Sequence, residues 1–167
     1  MGLFLWVKKE REKMSYIIKQ MSQQDVASVI SWKYTGVYSF YNMDEDPEDL
    51  YEFREEAANN PHYWSVYHLD QLIGFFSYVL KSGNQVEIGL GMSPGLVGNG
   101  HGYKYLKAGI EKAIELYRPS SLVMSVADFN ERAIKVYQRA GFQKIDSFQQ
   151  HTNGGVYPFI KMQKELD

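Results

Sequence analysis

The run GLVGNGHG at residues 95–102 most constrains how this chain can fold, because it joins a strand pattern to a helical one. Glycine loses more backbone freedom on folding than any other residue, so such a run is unfavourable unless a turn or a ligand requires it. Residues 86–92 before it predict a strand, and apolar residues at helical spacing after it predict a helix from about residue 100 to 118. A helix N-terminus has unpaired N–H groups, so the loop is a candidate anion-binding site.

Two common phosphate-binding motifs do not describe this loop. A P-loop would continue with Lys and Ser or Thr, and a dinucleotide fingerprint would space its glycines as Gly-x-Gly-x-x-Gly. Here the spacing is Gly98-x-Gly100-x-Gly102. At this point a glycine-rich turn that binds nothing remains an alternative.

The rest of the chain predicts a mixed sheet covered by helices on both faces, an α/β or α+β fold. Predicted strands cover residues 16–19, 63–68, 72–80, 86–92, 122–126, 142–148 and 156–162. Predicted helices cover residues 22–31, about 47–59 and 131–140, besides the one after the glycines. Residues 32–43 are rich in aromatic side chains and have no clean period. We interpret residues 1–13 as an N-terminal extension and residues 14–167 as one domain.

Composition excludes several classes of protein. The 18 basic and 20 acidic residues are interspersed, so no surface for nucleic acid is predicted. The absence of cysteine rules out disulfides and thiolate metal sites, and we expect no metal. The apolar residues 3–7 are too few to span a bilayer or serve as a signal sequence. We therefore expect a cytoplasmic protein with no membrane partner, and leave a homodimer open.

A second motif, VADFNERAIKVYQRAGF at residues 126–142, places Asn130, Ala133 and Tyr137 on one helical face. Together with the glycine loop, this order and spacing resemble the GNAT superfamily of N-acetyltransferases. The resemblance implies one domain with a mixed, mostly antiparallel central sheet of six to seven strands, flanked by helices on both faces. The chain departs from the family pattern at Val97, where the family usually has Gln or Arg.

The resemblance implies acetyl-CoA as co-substrate. Its pyrophosphate would bind backbone N–H groups of the loop, at Val97, Gly98, Asn99, Gly100, His101 and Gly102. Its pantetheine arm would pair, like an added strand, with the backbone of Leu90, Gly91 and Met92. Asn130 would hydrogen-bond that arm, although an N-cap role alone would also explain it. Strand alternation predicts an open surface beside Gly89 and Gly91, around the Glu87 carboxylate.

Acetyl transfer to an amine needs a proton acceptor for the ammonium and a proton donor for the departing thiolate. The resemblance implies Tyr137 as the donor, and a core aromatic is the alternative reading of this residue. Glu87 is the candidate base, directly or through water, and a solvated strand carboxylate is its alternative reading.

The acceptor is predicted to contact the aromatic segment, with Trp32, Tyr34 and Tyr38 as candidate substrate-binding residues and Phe40 and Tyr41 beside them. Aromatic side chains favour a small primary amine with an apolar part, while the acidic residues at 44–48 keep a cationic acceptor open. A protein N-terminus would use the same chemistry. The competing hypotheses are an acyl-CoA sensor or scaffold without turnover, and a nucleotide-binding regulatory domain.

Overall fold

The computed structural model describes residues 15–167, in which seven β-strands form one sheet. The strands are β1 (Ile17–Gln20), β2 (Tyr63–His68), β3 (Gln71–Lys81), β4 (Gln85–Met92), β5 (Ser121–Ala127), β6 (Gln143–Thr152) and β7 (Gly155–Glu165). Their order is β1-β2-β3-β4-β5-β7-β6, and only β4 and β5 are parallel neighbours. The predicted mixed, mostly antiparallel sheet of six to seven strands is confirmed. The proposed extension, residues 1–13, lies outside the described residues.

The α-helices between residues 15 and 167 begin and end close to the predicted positions. They are α1 (Gln23–Ile30), α2 (Pro47–Glu56), α3 (Gly102–Tyr117) and α4 (Glu131–Arg139). None of the helices in this part of the chain is long and apolar enough to cross a bilayer.

Local sequence explains the starts of three of the helices, α1, α2 and α4. Ser22 and Asp25 form a reciprocal capping box at α1. Asp46 accepts from two backbone N–H groups at the start of α2, where Pro47 takes the first helical position. The Asn130 side chain accepts from the N–H of Ala133 and caps α4. These short-range bonds are why helix positions could be predicted from sequence.

Apolar side chains pack on both faces of the sheet. The larger core lies under α3 and α4, and a smaller one lies under α1 and α2. Consecutive residues on β3 point to opposite faces of the sheet, so Phe76 belongs to the larger core and Phe75 packs against the smaller one. Helices therefore flank the sheet on both sides, as predicted.

The aromatic segment between α1 and α2 forms two 3₁₀ turns, Gly36–Tyr41 and Met43–Glu45. The β6–β7 turn holds it in place. The Asp46 carboxylate accepts from the Thr152 hydroxyl at 3.0 Å and from the Asn153 N–H at 3.1 Å. The Asn153 side chain donates to the Phe40 carbonyl at 2.8 Å. Contacts with a distant turn, not a local helical period, thus determine its conformation.

Candidate active site

The sheet opens between its two parallel strands. β4 and β5 pair at three positions, Gln85 with Ser121, Val86 with Leu122 and Glu87 with Val123. Both strands continue beyond this point, and β4 remains paired with β3 as far as Met92. The two strands therefore diverge after Glu87 and leave a slot in the middle of the sheet.

The backbone of β4 that borders this slot has hydrogen-bonding groups to offer. The Ser93 N–H donates to the Ile73 carbonyl, so odd-numbered residues of β4 bond to β3 and even-numbered ones face the opposite side. The peptide groups of Leu90 and Met92 consequently face the slot. The Tyr34 hydroxyl donates to the Met92 carbonyl at 2.6 Å, which brings a predicted substrate-binding residue to the edge of the slot.

The glycine loop lies between the end of β4 and the start of α3. Its backbone turns through left-handed conformations at Gly98 (φ 83°) and Gly100 (φ 78°), which glycine adopts without strain. The Asn99 side chain donates to the Gly95 carbonyl at 2.9 Å and braces the turn. His101 occupies the N-cap position of α3 without making a side-chain cap, so the first-turn N–H groups are open to a ligand.

Asn130 stands at the other border of the slot, where β5 ends and α4 begins. Its side-chain oxygen accepts from the Ala133 N–H at 3.1 Å, and its amide nitrogen donates to the Tyr41 hydroxyl at 3.0 Å. The two bonds together fix the orientation of the amide. The sequence places Tyr41 only in the aromatic segment. Its hydrogen bond to Asn130 brings it next to the candidate cofactor site.

Tyr137 lies on α4 within the larger core and is 7% exposed. Burial raises the pKa of its hydroxyl, and the neighbouring Tyr41 raises it further. The hydroxyl is therefore protonated at neutral pH and can act as a proton donor.

Glu87 occupies the last position at which β4 and β5 pair. Val86 and Ile88 point into the core that contains Tyr137, so Glu87 projects from the opposite face. Its carboxylate lies 3.4 Å from the Lys81 ammonium, and both side chains are partly exposed. The structure thus places the two candidate catalytic groups on opposite faces of the sheet.

The prediction of an open surface beside Gly89 and Gly91 is wrong. A Cβ atom added at Gly89 would collide with the Ser77 hydroxyl, and one added at Gly91 would collide with the Phe75 ring. Side chains of β3 therefore cover these glycines, and their lack of side chains serves packing. Sequence alternation could not reveal this, because it does not say what the neighbouring strand contributes.

The aromatic residues that were predicted to contact the acceptor lie in two different places. Trp32 packs against the smaller core under α1 and α2. Tyr38 instead lies toward the glycine loop, with its ring 4.1 Å from the guanidinium carbon of Arg132 on α4. Phe40 packs edge-on against Phe129 and Tyr157. The sequence pattern does not single out Arg132, because its contact with Tyr38 depends on the fold.

The chain is similar to known proteins over most of its length. The family model described as "Acetyltransferase (GNAT) family" matches residues 24–142. The Bacillus subtilis (strain 168) protein named "Spermine/spermidine N(1)-acetyltransferase" is 33% identical over 99 residues. That match spans 53% of this chain and 65% of the relative, so the chain covers less than two thirds of the relative's length.

Solved structures share the fold at low sequence identity. A GNAT-family acetyltransferase from Bacillus anthracis has a TM-score of 0.71 at 13% identity, over 90% of this chain and 94% of that chain. Spermidine N-acetyltransferase from Vibrio cholerae, solved with CoA and spermine, has a TM-score of 0.71 at 14% identity, over 90% and 95%. At these sequence identities, the similarity shows that the fold is shared.

Proposed function

Because this chain belongs to the GNAT family of acetyltransferases, we propose that residues 14–167 form an acetyl-CoA-dependent N-acetyltransferase domain whose acceptor is the primary amine of a small molecule. One observation carries the proposal. The slot between β4 and β5 lies beside an uncapped α3 N-terminus, and the slot residues Leu90 and Met92 pack against the core that contains Tyr137. Such a slot suits a long, thin ligand with a phosphate group at one end.

The residues on the borders of the slot fit acetyl-CoA. Backbone N–H groups from Val97 to Gly102 would bind the pyrophosphate, since the two left-handed glycines let a phosphate approach the chain closely. The slot-facing peptide groups of Leu90 and Met92 would pair with the amides of the pantetheine arm. The Asn130 side chain would add a bond to the same arm. Because the Met92 carbonyl already accepts from Tyr34, a bound arm would share or displace that contact.

The two faces of the sheet would then carry the two halves of the chemistry. The amine would approach from the Glu87 face and lose a proton to that carboxylate, directly or through water. Its nitrogen would form a bond to the acetyl carbon while the carbon–sulfur bond breaks. Tyr137 would donate its proton to the departing thiolate on the other face. Backbone N–H groups of β4 that face the slot would stabilise negative charge on the acetyl oxygen.

Charges near the site are mixed. Of the acidic residues close to the aromatic segment, Asp44 is paired with Lys33 at 2.8 Å, and Asp46 caps α2 and holds the β6–β7 turn, while Glu45 and Glu48 belong to none of the ion pairs between residues 15 and 167. Lys81 beside Glu87 would repel a second ammonium group. The relative named for spermine and spermidine nevertheless makes a polyamine the first acceptor to compare with a small aromatic or apolar amine.

The function is tested by incubating the protein with acetyl-CoA and a panel of acceptors. The panel contains aromatic and apolar primary amines, spermidine, spermine and peptides with a free N-terminus. Thiol release is followed over time and product masses are determined. Acetylated product supports the enzyme, whereas CoA binding without turnover of any acceptor would support a sensor or scaffold. Equal affinity for CoA and for adenine nucleotides that lack pantetheine would support a nucleotide-binding domain.

A variant tests the proposed base. Glu87→Gln keeps the size of the side chain and removes its ability to take a proton, so turnover should fall by roughly 10²-fold or more while CoA still binds. Lys81→Gln is the matched control, because it breaks the same ion pair from the other side and leaves the carboxylate in place. Equal rates in Glu87→Gln and the parent would remove Glu87 from the mechanism.

A further inference from the structure

The glycine loop lacks a polar hydrogen-bond donor side chain where its family usually has Gln or Arg, because Val97 occupies that position. The structure brings a cation there from another element. Arg132, in the first turn of α4, lies directly against the loop. A Cβ atom added at Gly98 would lie 2.6 Å from the Arg132 Nη1 atom.

The surroundings of Arg132 hold its guanidinium in place without neutralising it. The guanidinium carbon lies over the Tyr38 ring, 4.1 Å from its centre, which is a cation–π contact. The N–H donors lie in the plane of the guanidinium and point outward from its edges. Among residues 15–167, the ion pairs present do not include Arg132. The charge and the edge donors therefore remain available to a ligand.

Chemistry and position together indicate a phosphate ligand. The guanidinium can donate two parallel hydrogen bonds to a phosphate, which a lone backbone N–H cannot do. The loop N–H groups and the dipole of α3 attract negative charge to the same place. Two phosphates linked as a pyrophosphate could contact the loop and Arg132 together.

We propose that Arg132 binds the cofactor pyrophosphate and takes over the role of the side chain missing at Val97, with Tyr38 as the residue that positions it. The proposal rests on the acetyl-CoA site described above and assigns a role to a residue of the second motif other than Asn130, Ala133 and Tyr137. It also gives Tyr38 a different role from direct contact with the acceptor. The contact between Tyr38 and Arg132 thereby joins the aromatic segment to the phosphate site.

The test measures binding by titration calorimetry for three ligands: CoA, 3′-dephospho-CoA and pantetheine. Arg132→Gln should weaken CoA binding by roughly 10- to 100-fold, the range for losing a hydrogen bond to a charged group. The loss should be as large for 3′-dephospho-CoA, which keeps the pyrophosphate, and absent for pantetheine, which has no phosphate. A loss confined to CoA would assign Arg132 to the 3′-phosphate and overturn the proposal, as would an unchanged affinity for all three.

Two further variants test position and charge. Tyr38→Phe keeps the stacking ring and should bind CoA like the parent, whereas Tyr38→Leu should bind more weakly. Equal losses in both would contradict the positioning role. Arg118→Gln removes the same charge at the far end of α3, about 24 Å along the helix from the loop, and should leave CoA affinity unchanged. A loss there as large as in Arg132→Gln would show a general charge effect and overturn the proposal.

The readout also separates this proposal from the proposed function. A parent that binds CoA but acetylates no amine would remove the enzyme and leave the Arg132 result interpretable. A parent that does not bind CoA would overturn both. Circular dichroism of each variant checks that the fold is kept.

Discussion

The two sides of the slot are built from the sequence in different ways. On the cofactor side, the bonds that shape the site join near neighbours, such as Asn99 with Gly95 and Asn130 with Ala133. On the acceptor side, they join residues far apart in the chain, since Asp46 binds the β6–β7 turn across 106 and 107 positions. The backbone of the cofactor side is thus fixed locally, with Tyr41 and Arg132 adding long-range contacts, whereas the acceptor side is a tertiary assembly. The comparison suggests that cofactor binding and acceptor binding can be disrupted separately.

The largest expected effect lies on the cofactor side. Tyr137→Phe removes one hydroxyl and keeps the ring in its core, so turnover should fall by roughly 10²- to 10⁴-fold while CoA affinity changes little. Burial raises the pKa of this hydroxyl, so the donor stays protonated throughout the neutral range and should produce no loss of rate there as pH rises. Initial rates of thiol release across pH provide the measurement. Tyr41→Phe is the control, and a larger loss in that variant would transfer the donor role to Tyr41.

A loop substitution should affect cofactor binding before it affects the fold. Gly100 has a φ of 78°, and a Cβ atom there would meet nothing within 4 Å, so Gly100→Val strains the backbone without creating a clash. We expect CoA affinity to fall by about 10-fold or more and the circular dichroism spectrum to stay that of the parent. Gly95→Val is the matched control, because Gly95 is also open to solvent and has no left-handed φ. Unchanged affinity in Gly100→Val would contradict the phosphate site.

Breaking the acceptor side should affect the amine more than CoA. Asp46→Ala removes the cap of α2 and both bonds to the β6–β7 turn, and loss of the cap alone costs about 1 kcal/mol of unfolding free energy. The KM for the amine should rise by a larger factor than CoA affinity falls, because only Tyr38 and Tyr41 of the loosened segment contact Arg132 and Asn130. Asp44→Ala, which loses only the exposed pair with Lys33, is the control. A loss of CoA affinity as large as the rise in KM would show that the two sides are not separable.

The same carboxylate predicts a dependence on pH. The backbone N–H of Asp49 is the main cause that holds the pKa of Asp46 below its usual value, with Asn153 and Thr152 contributing. A lowered folded-state pKa stabilises the protein above the unfolded value, near 4, and the stabilisation is lost as pH falls through the folded-state pKa. The difference in melting temperature between the parent and Asp46→Ala should therefore shrink on acidification below about pH 4.

The smallest effect is expected from the N-terminus. The regular sequence pattern starts at Met14, so a chain that lacks residues 1–13 should melt within a few degrees of the full chain and keep its CoA affinity. Thermal denaturation followed by circular dichroism, with and without CoA, provides the measurement. A melting temperature lowered by ten degrees or more would show that the extension contributes to the fold.

The sequence predicted what depends on neighbouring residues and missed what depends on packing. The glycine loop, the Asn130 cap and the helix limits follow from backbone requirements that act over a few positions. The contact of Arg132 with Gly98 joins residues 34 positions apart, and that of Tyr41 with Asn130 spans 89. No periodicity encodes either contact. The divergence of β4 from β5 could not be predicted from the sequence either, because both strands continue past the point where their pairing stops.

The short pairing of β4 with β5 has a consequence for how the molecule responds to heat and to ligands. A sheet whose two halves share only three residue pairs is expected to have its lowest local stability at that junction. The slot-facing amide hydrogens of Leu90 and Met92 should exchange with solvent faster than the paired amide hydrogens of Gly89 and Gly91 on the same strand. A molecule that bridges the slot would act as a missing strand and slow this exchange. If acetyl-CoA is that molecule, as we propose, the protein would gain rigidity on binding it and lose that rigidity with each turnover.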